Sequence, residues 1–184
     1  LMLVCWTAVY NFSLAFGDSV KIVVMPKGNA VQAVLYDKTK GMVFDMGSKG
    51  KLNSGTESFL ELYGIKELKG AFIESEQYYT ITKYNEQMTI RPDRFYINGE
   101  PDNDSELPFI TGAQLDWNGV KIEALEDGYK TTTEGCVVTI EKGSVTINGR
   151  NLDTTDEEYP LMIDMKNSQI RRTDYGFAYV FGSW

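Results

Sequence analysis

Four lysines lie near a glycine-rich segment in the first third of the chain. Within 14 positions the sequence places Lys38, Lys40, Lys49 and Lys51. Residues 47–51 read Gly-Ser-Lys-Gly-Lys. The backbone amides of such a loop can contact an anion together with lysine side chains. The pattern therefore offers Ser48, Lys49 and Lys51 as candidate ligand-binding residues, with lysines on exposed turns as the alternative.

This segment does not fit the motifs of nucleotide-binding or serine enzymes. A Walker phosphate loop needs Ser or Thr after its Gly-Lys pair, and Leu52 follows Lys51. Ser48 and Lys51 match the Ser-x-x-Lys motif of serine β-lactamases, but the companion Ser-Asp-Asn and Lys-Thr-Gly motifs are absent. A calcium loop starting at Asp102 would need glycine at its sixth position, which is Leu107.

Composition narrows the chemistry further. The 184 residues include no histidine, two cysteines, 18 basic and 26 acidic residues, for a formal net charge of −8. Without imidazole, the Ser-His-Asp and Cys-His nucleophile systems and the histidine zinc sites are excluded. We expect Cys5 and Cys136 to be buried free thiols, with a disulfide between them as the alternative. The acidic balance argues against broad binding to nucleic acid or anionic lipid, although it allows a local basic patch.

The elements that must position these residues are mostly strands. Short runs rich in Val, Ile and Tyr alternate with turn residues, which is typical of strands. The predicted strands are Val20–Met25, Val31–Tyr36, Met42–Asp45, Ala71–Glu74, Met88–Arg91, Phe95–Asn98, Gln114–Trp117, Val120–Glu126, Gly135–Glu141, Ser144–Asn148, Leu161–Met165, Gln169–Arg172 and Phe177–Phe181.

Turn signals and one helix complete this prediction. Asn118-Gly119 and Lys142-Gly143 each join two predicted strands into a hairpin. The spacing of apolar residues predicts a helix over 54–63, ended by Gly64 at the position after the helix. Two polar stretches, Glu100–Glu106 and Asp153–Glu158, are predicted to be surface loops. The pattern indicates an α+β fold with large sheets.

Residues 1–16 differ from the rest of the chain. Residues 1–12 are almost wholly apolar, and the first charge is Asp18. The run is shorter than the roughly 20 residues of a membrane-spanning helix. Three interpretations remain open: the end of a transmembrane helix, which we expect, the tail of a signal peptide, or a buried core strand. Residues 17–184 are then expected to form a single domain.

An ordered set of short motifs runs through residues 17–150. Gly28-Asn29-Ala30 precedes one strand, and Asp45-Met46-Gly47 ends the next. Residues 64–68 read Gly-Ile-Lys-Glu-Leu before another strand, and a Trp-containing hairpin follows at residues 112–125. This order resembles the extracellular metallo-β-lactamase-like domain of ComEC-type DNA-uptake proteins. The first motif is a degraded form of that family's Val-Gly-Gln-Gly-Asp-like signature, and the second matches its Asp-x-Gly.

The resemblance breaks where the family carries its metal ligands. Its His-x-His-x-Asp-His motif should follow residues 70–75, but residues 76–85 contain neither histidine nor aspartate. Its later Gly-Asp ligand falls near residues 148–150, where no acid stands. The resemblance therefore implies a metallo-β-lactamase-like sandwich, reduced in helices, with a vestigial metal-site region. That region comprises Asp45, Glu74, Glu76, Tyr78 and Tyr79.

These observations predict a non-catalytic domain without cofactor or metal. By resemblance it would lie on the extracytoplasmic side of the cell membrane, joined through residues 1–16 to an upstream transmembrane channel region. Single-stranded DNA is the partner that the resemblance implies. One alternative is a phosphodiesterase whose carboxylates Asp45, Glu74 and Glu76 hold Mn²⁺ or Mg²⁺. Another is a secreted or membrane-attached interaction domain with no nucleic-acid role.

Overall fold

The computed structural model describes residues 19–27, 30–46, 54–74, 86, 88–98, 106–152 and 160–172. These residues form a strand-rich α+β sandwich of two sheets, which confirms the predicted fold class at this level. The first half contains β1 Lys21–Lys27, β2 Ala30–Asp37, β3 Lys40–Met46, α1 Ser54–Leu62, β4 Glu67–Glu74, β5 Phe95–Asn98 and β6 Glu106–Pro108. The second half contains β7 Gln114–Trp117, β8 Val120–Leu125, β9 Gly128–Thr132, β10 Val137–Glu141, β11 Ser144–Ile147, β12 Arg150–Asn151, β13 Leu161–Asp164 and β14 Ile170–Arg172.

The larger sheet changes from antiparallel to parallel pairing at β3. Its strand order is β14-β13-β1-β2-β3-β4-β5-β6. Strands from β14 to β3 pair antiparallel, whereas β3, β4, β5 and β6 run parallel. A parallel neighbour requires a crossover connection, and α1 lies in the connection from β3 to β4. The smaller sheet is an antiparallel meander of order β12-β11-β10-β9-β8-β7.

Two apolar layers cover the two faces of the larger sheet. Between the sheets, Phe72 stacks on Phe44 at 4.8 Å and on Tyr96 at 4.6 Å between ring centroids, and Tyr129 of the smaller sheet packs against this stack. On the other face, Phe59 and its neighbours on α1 cover the sheet. Because both faces are covered, six of the seven residues of β3 are buried.

Local turn chemistry follows the predicted signals. Gly64 follows the end of helix α1 and has a φ of 65°. The Ile65 amide donates to the Leu60 carbonyl at 2.9 Å, and the two features together form a Schellman cap. In the β7–β8 hairpin, Asn118 and Gly119 both have positive φ, as a type I′ turn requires. Residues 148–149 form a similar Asn-Gly turn between β11 and β12, which the sequence analysis did not identify.

Several sequence predictions need correction. Residues 88–91 form no strand, and only Pro92 makes an isolated bridge to Leu68. Glu106 does not belong to an exposed loop, because it begins β6 and is 4% exposed. Strand β9, which lies between two predicted hairpins, was missed because Lys130 and two threonines make it look polar.

Some predictions fall outside the described residues. These are residues 1–16 with Cys5, the stretches 100–105 and 153–158, and the strand 177–181. Cys136 is described: it is a buried free thiol, and burial raises the pKa of that thiol. Within the described ranges, no helix combines the length and apolarity needed to cross a membrane.

Candidate functional site

The parallel strands β3, β4 and β5 end at one edge of the larger sheet. Asp45 pairs with Ile73, Ile73 pairs with Ile97, and Glu74 pairs with Asn98. We call this the carboxyl edge and define it by Asp45, Glu74 and Asn98. Ligands of sheets with parallel strands bind outside the carboxyl ends of those strands. This edge is therefore the first place to look for a site, and it contains two acids that the sequence analysis selected.

Asp45 is held inside the protein by a line of hydrogen bonds. It pairs directly across the antiparallel ladder with Gln32, and the Gln32 Nε2 donates to Asp45 Oδ2 at 2.9 Å. The Thr56 hydroxyl in turn donates to Gln32 Oε1 at 2.8 Å. All three residues are buried, with Asp45 at 0% exposure. This cluster, Asp45–Gln32–Thr56, joins two strands to the first turn of α1.

The local sequence explains this arrangement. Side chains alternate along β2 and β3, so Gln32 and Asp45 share a face with Val34 and Val43, the face that α1 covers. A polar group buried there without partners would be costly, and each hydrogen bond offsets part of that cost. Oδ2 of the Asp45 carboxylate is thereby held by Gln32 inside the layer under α1.

Glu74 faces the opposite way. Phe72 points into the layer between the sheets and Ile73 into the layer under α1, so the alternation places Glu74 on the side of the smaller sheet. There its carboxylate lies 3.7 Å from the Lys142 ammonium in the β10–β11 turn. With the Lys142 side chain half exposed, this ion pair stabilises the fold only weakly.

The structure therefore does not bring the two described acids together. Asp45 and Glu74 lie on adjacent strands but their side chains occupy opposite faces of the sheet. Among the described residues, no group of three or more acidic or cysteine side chains could hold a metal ion. The other predicted site residues, Ser48, Lys49, Lys51, Glu76, Tyr78 and Tyr79, lie outside the described residues.

The four-lysine cluster is divided by β3. Lys38 and Lys40 lie at the start of this strand, at the end of the sheet opposite Asp45. A strand rises about 3.3 Å per residue, so Lys40 and Met46 are about 20 Å apart. Lys49 and Lys51 follow Met46 in the chain and lie outside the described residues.

Contacts between the sheets fix the carboxyl edge. The Tyr129 hydroxyl donates to the Ile73 carbonyl at 3.0 Å, and the Asn98 Nδ2 donates to the Leu125 carbonyl at 2.9 Å. Burial, with a smaller contribution from the nearby Glu74 charge, raises the pKa of Tyr129. The phenol is therefore a neutral donor at ordinary pH, and these two contacts join the sheets at the described part of the carboxyl edge.

The described charges around this joint are mostly negative. The β8–β9 turn and the β10–β11 turn meet the carboxyl edge there through Asn98 and Glu74. These turns and the edge carry Glu74, Glu126, Asp127, Glu141 and Lys142. Four acids against one base give a local environment that repels a phosphate backbone.

Sequence reasoning selected Asp45 but missed the residues that determine its role. Gln32 was the available signal, because a lone amide within an apolar strand of Val, Ala and Leu must find an internal partner. Thr56 and Lys142 carried no such signal, since each meets its partner only through tertiary packing.

No protein-family model matches the chain, and no curated protein matches it.

The Asp45–Gln32–Thr56 cluster predicts a coupled stability effect. Thr56→Val keeps the shape of the side chain but leaves the buried Gln32 carbonyl without this donor, so we expect a loss of about 1–2 kcal/mol in the free energy of unfolding. Urea denaturation measures it. In a Gln32→Met background the acceptor is gone, and the same Thr56→Val substitution should cost close to nothing. Equal costs in both backgrounds would contradict the cluster.

Buried tyrosines predict a loss of stability in alkali. Burial is the largest cause of the raised pKa of Tyr36, Tyr63 and Tyr129. Unfolded tyrosine ionises near pH 10, so the folded state retains protons that the unfolded state releases above that pH. These tyrosines leave the free energy of unfolding unaffected below about pH 10, and above it Tyr36 and Tyr129 each lower it by about 1.4 kcal/mol per pH unit. Tyr129→Phe should make the fall in urea-measured stability correspondingly shallower, and an unchanged slope would refute this account.

Proposed function

We propose that this chain is a non-catalytic, metallo-β-lactamase-like domain of a membrane DNA-uptake protein, placed on the extracytoplasmic side. The observation that carries the non-catalytic part is the orientation of the two described acids at the carboxyl edge. Asp45 hydrogen bonds to Gln32 under α1, and Glu74 pairs with Lys142 on the other face. Each carboxylate serves the packing of the sandwich.

The strand order supports the fold part of the proposal. Three antiparallel strands lead to the Asp-x-Gly segment at the end of β3, then to a helix, then to the parallel strand β4. That succession matches the order of motifs on which the resemblance rests. The family's imidazole ligands have no counterpart, since the chain contains no histidine.

The chemistry of a two-metal hydrolase needs ligands that hold two ions about 3.5–4 Å apart and lower the pKa of a bound water. Asp45 and Glu74 cannot share an ion in this arrangement, because the sheet separates their side chains. This favours a binding or structural role over the alternative Mn²⁺ or Mg²⁺ phosphodiesterase. The membrane attachment and the link to DNA uptake rest on residues 1–16 and on the resemblance.

Metal content and nuclease activity test the non-catalytic role. The full chain is dialysed in turn against Zn²⁺, Mn²⁺ and Mg²⁺, its bound ions are counted by elemental analysis, and cleavage of a labelled single-stranded oligonucleotide is followed. We expect no stoichiometric ion and no cleavage, because imidazole is absent and the side chains of Asp45 and Glu74 lie on opposite faces of the sheet. One or two bound ions per chain, with cleavage that Asp45→Ala abolishes, would overturn the proposal.

The DNA partner is tested separately through the glycine-rich segment. Since the described carboxyl edge is acidic, we assign the contact with DNA to Lys49 and Lys51, which follow β3 in the chain. Each phosphate contact to a single strand contributes about 0.7 to the slope of log affinity against log salt. The double variant Lys49→Ala, Lys51→Ala should therefore reduce that slope by about 1.4 in a fluorescence-anisotropy titration. An unchanged slope would show that these lysines do not bind DNA, and no binding by the unmodified chain would favour the interaction-domain alternative.

A further inference from the structure

The edge of the larger sheet opposite Asp45 gathers three segments side by side. The Lys66 amide donates to the Thr39 carbonyl at 2.8 Å, which joins the β2–β3 turn to the start of β4. The Asp93 amide donates to the Leu68 carbonyl at 2.8 Å, which adds the segment before β5. We call residues 37–40, 65–69 and 91–94 the amino edge.

The amino edge is basic in a chain that is otherwise strongly acidic. Its basic residues are Lys38, Lys40, Lys66, Lys69, Arg91 and Arg94, and its acidic residues are Asp37, Glu67 and Asp93. Six bases against three acids leave a formal charge of +3, whereas the whole chain carries −8. The remainder of the molecule is correspondingly more acidic, so an anionic surface would be attracted to this edge and repelled by the rest.

Ion pairs compensate only part of this charge. Lys69 lies 2.7 Å from Glu67 and 3.0 Å from Asp93, which ties both acids to one ammonium. Within the described part of the chain, no ion pair holds Lys66, Arg91 or Arg94, and all three side chains are exposed. These three cations are therefore available to an external anion.

The chain enters the fold at the same edge. Lys21 pairs with Tyr36, Tyr36 pairs with Gly41, and Gly41 pairs with Leu68, so the start of β1 lies in one row with the starts of β3 and β4. Residues 1–18 precede β1 and contain the apolar, uncharged stretch described above. A membrane segment there would bring this edge, and not the acidic carboxyl edge, next to the bilayer.

We propose that the amino edge docks on the anionic headgroups of a phospholipid bilayer, with Lys66, Arg91 and Arg94 as the contacting cations. The membrane attachment in this proposal rests on the proposed function. A single-stranded nucleic acid fits this edge less well, because such binding combines cations with exposed aromatic rings on which bases stack. The exposed large apolar side chains among the described residues are Leu62, Ile110 and Ile170, none of them aromatic.

Vesicle co-sedimentation of the full chain tests the proposal. Vesicles of phosphatidylcholine mixed with phosphatidylglycerol are compared with pure phosphatidylcholine, at about 0.05 M and about 0.5 M NaCl, where salt screens surface charges. The edge variant carries Lys66→Gln, Arg91→Gln and Arg94→Gln. Each basic residue near an anionic surface contributes about a fivefold change in affinity, so the edge variant should bind the mixed vesicles at least about tenfold more weakly at low salt.

A matched control variant shows whether the position of the removed charges matters or only the net charge of the chain. Lys142→Ala, Thr111→Glu and Thr139→Glu change the net charge by the same three units at exposed or half-exposed positions outside the amino edge. This control should bind the mixed vesicles within about twofold of the unmodified chain. Binding to pure phosphatidylcholine, which has no anionic headgroups, should be the same for all three proteins.

Three results would overturn the proposal. The first is equal loss in the edge variant and in the control. The second is binding by the unmodified chain that depends on neither phosphatidylglycerol nor salt, a measurement that needs no variant. The third is an edge variant that loses affinity for a single-stranded oligonucleotide but keeps its affinity for the vesicles. None of these three results changes the expected metal content or nuclease activity. Failure of the membrane-docking proposal is therefore distinguishable from failure of the non-catalytic role.

Discussion

The pairing of β3 with an antiparallel neighbour on one side and a parallel neighbour on the other is the constraint on which this structure depends. The parallel partner β4 can be reached only by a crossover, and α1 supplies part of it. Helix and smaller sheet then cover the two faces of β3, so its interior positions must be apolar or internally bonded. Asp45 is internally bonded because it accepts a hydrogen bond from Gln32. Thr56 of α1 donates to Gln32 and so joins the helix to this pair of strands.

The parallel pairing also separates basic residues from acidic residues across the larger sheet. Parallel strands place all their starts at one edge and all their ends at the other, so charges in the connecting segments accumulate by edge. The bases of residues 37–40, 65–69 and 91–94 gather at the amino edge, and the acids of the β8–β9 and β10–β11 turns lie at the carboxyl edge. A domain polarised in this way has a preferred orientation beside any charged surface.

The sequence was sufficient for features set by local physics. Gly64 predicts the end of a helix and Asn118-Gly119 predicts a type I′ turn, because few other residues adopt positive φ. Alternating apolar runs located β1, β2, β3 and β5 within two residues at each end. The predicted strand at residues 88–91 was wrong because its apolar residues pack under the α1 layer, where Met88 is buried without joining a ladder.

The role of the candidate site could not be predicted from local patterns. Asp45 was selected by motif, but the face on which it lies depends on its register with Gln32. Glu74 was placed in the same region, yet one step along β4 turns it to the other side of the sheet. The basic amino edge escaped notice for the same reason, since its three segments are separated by up to 57 positions in the chain and meet only through the sheet.

We propose that the Asp45 carboxylate serves the fold and not a metal ion. Crystals of the full chain grown with Mn²⁺ would test it most directly, through anomalous scattering from the ion. The account predicts an intact hydrogen bond from Gln32 to Asp45 and no anomalous peak at coordination distance, about 2.1 Å, from Asp45 or Glu74. A peak bonded to Asp45, with Gln32 displaced from its carboxylate, would contradict it.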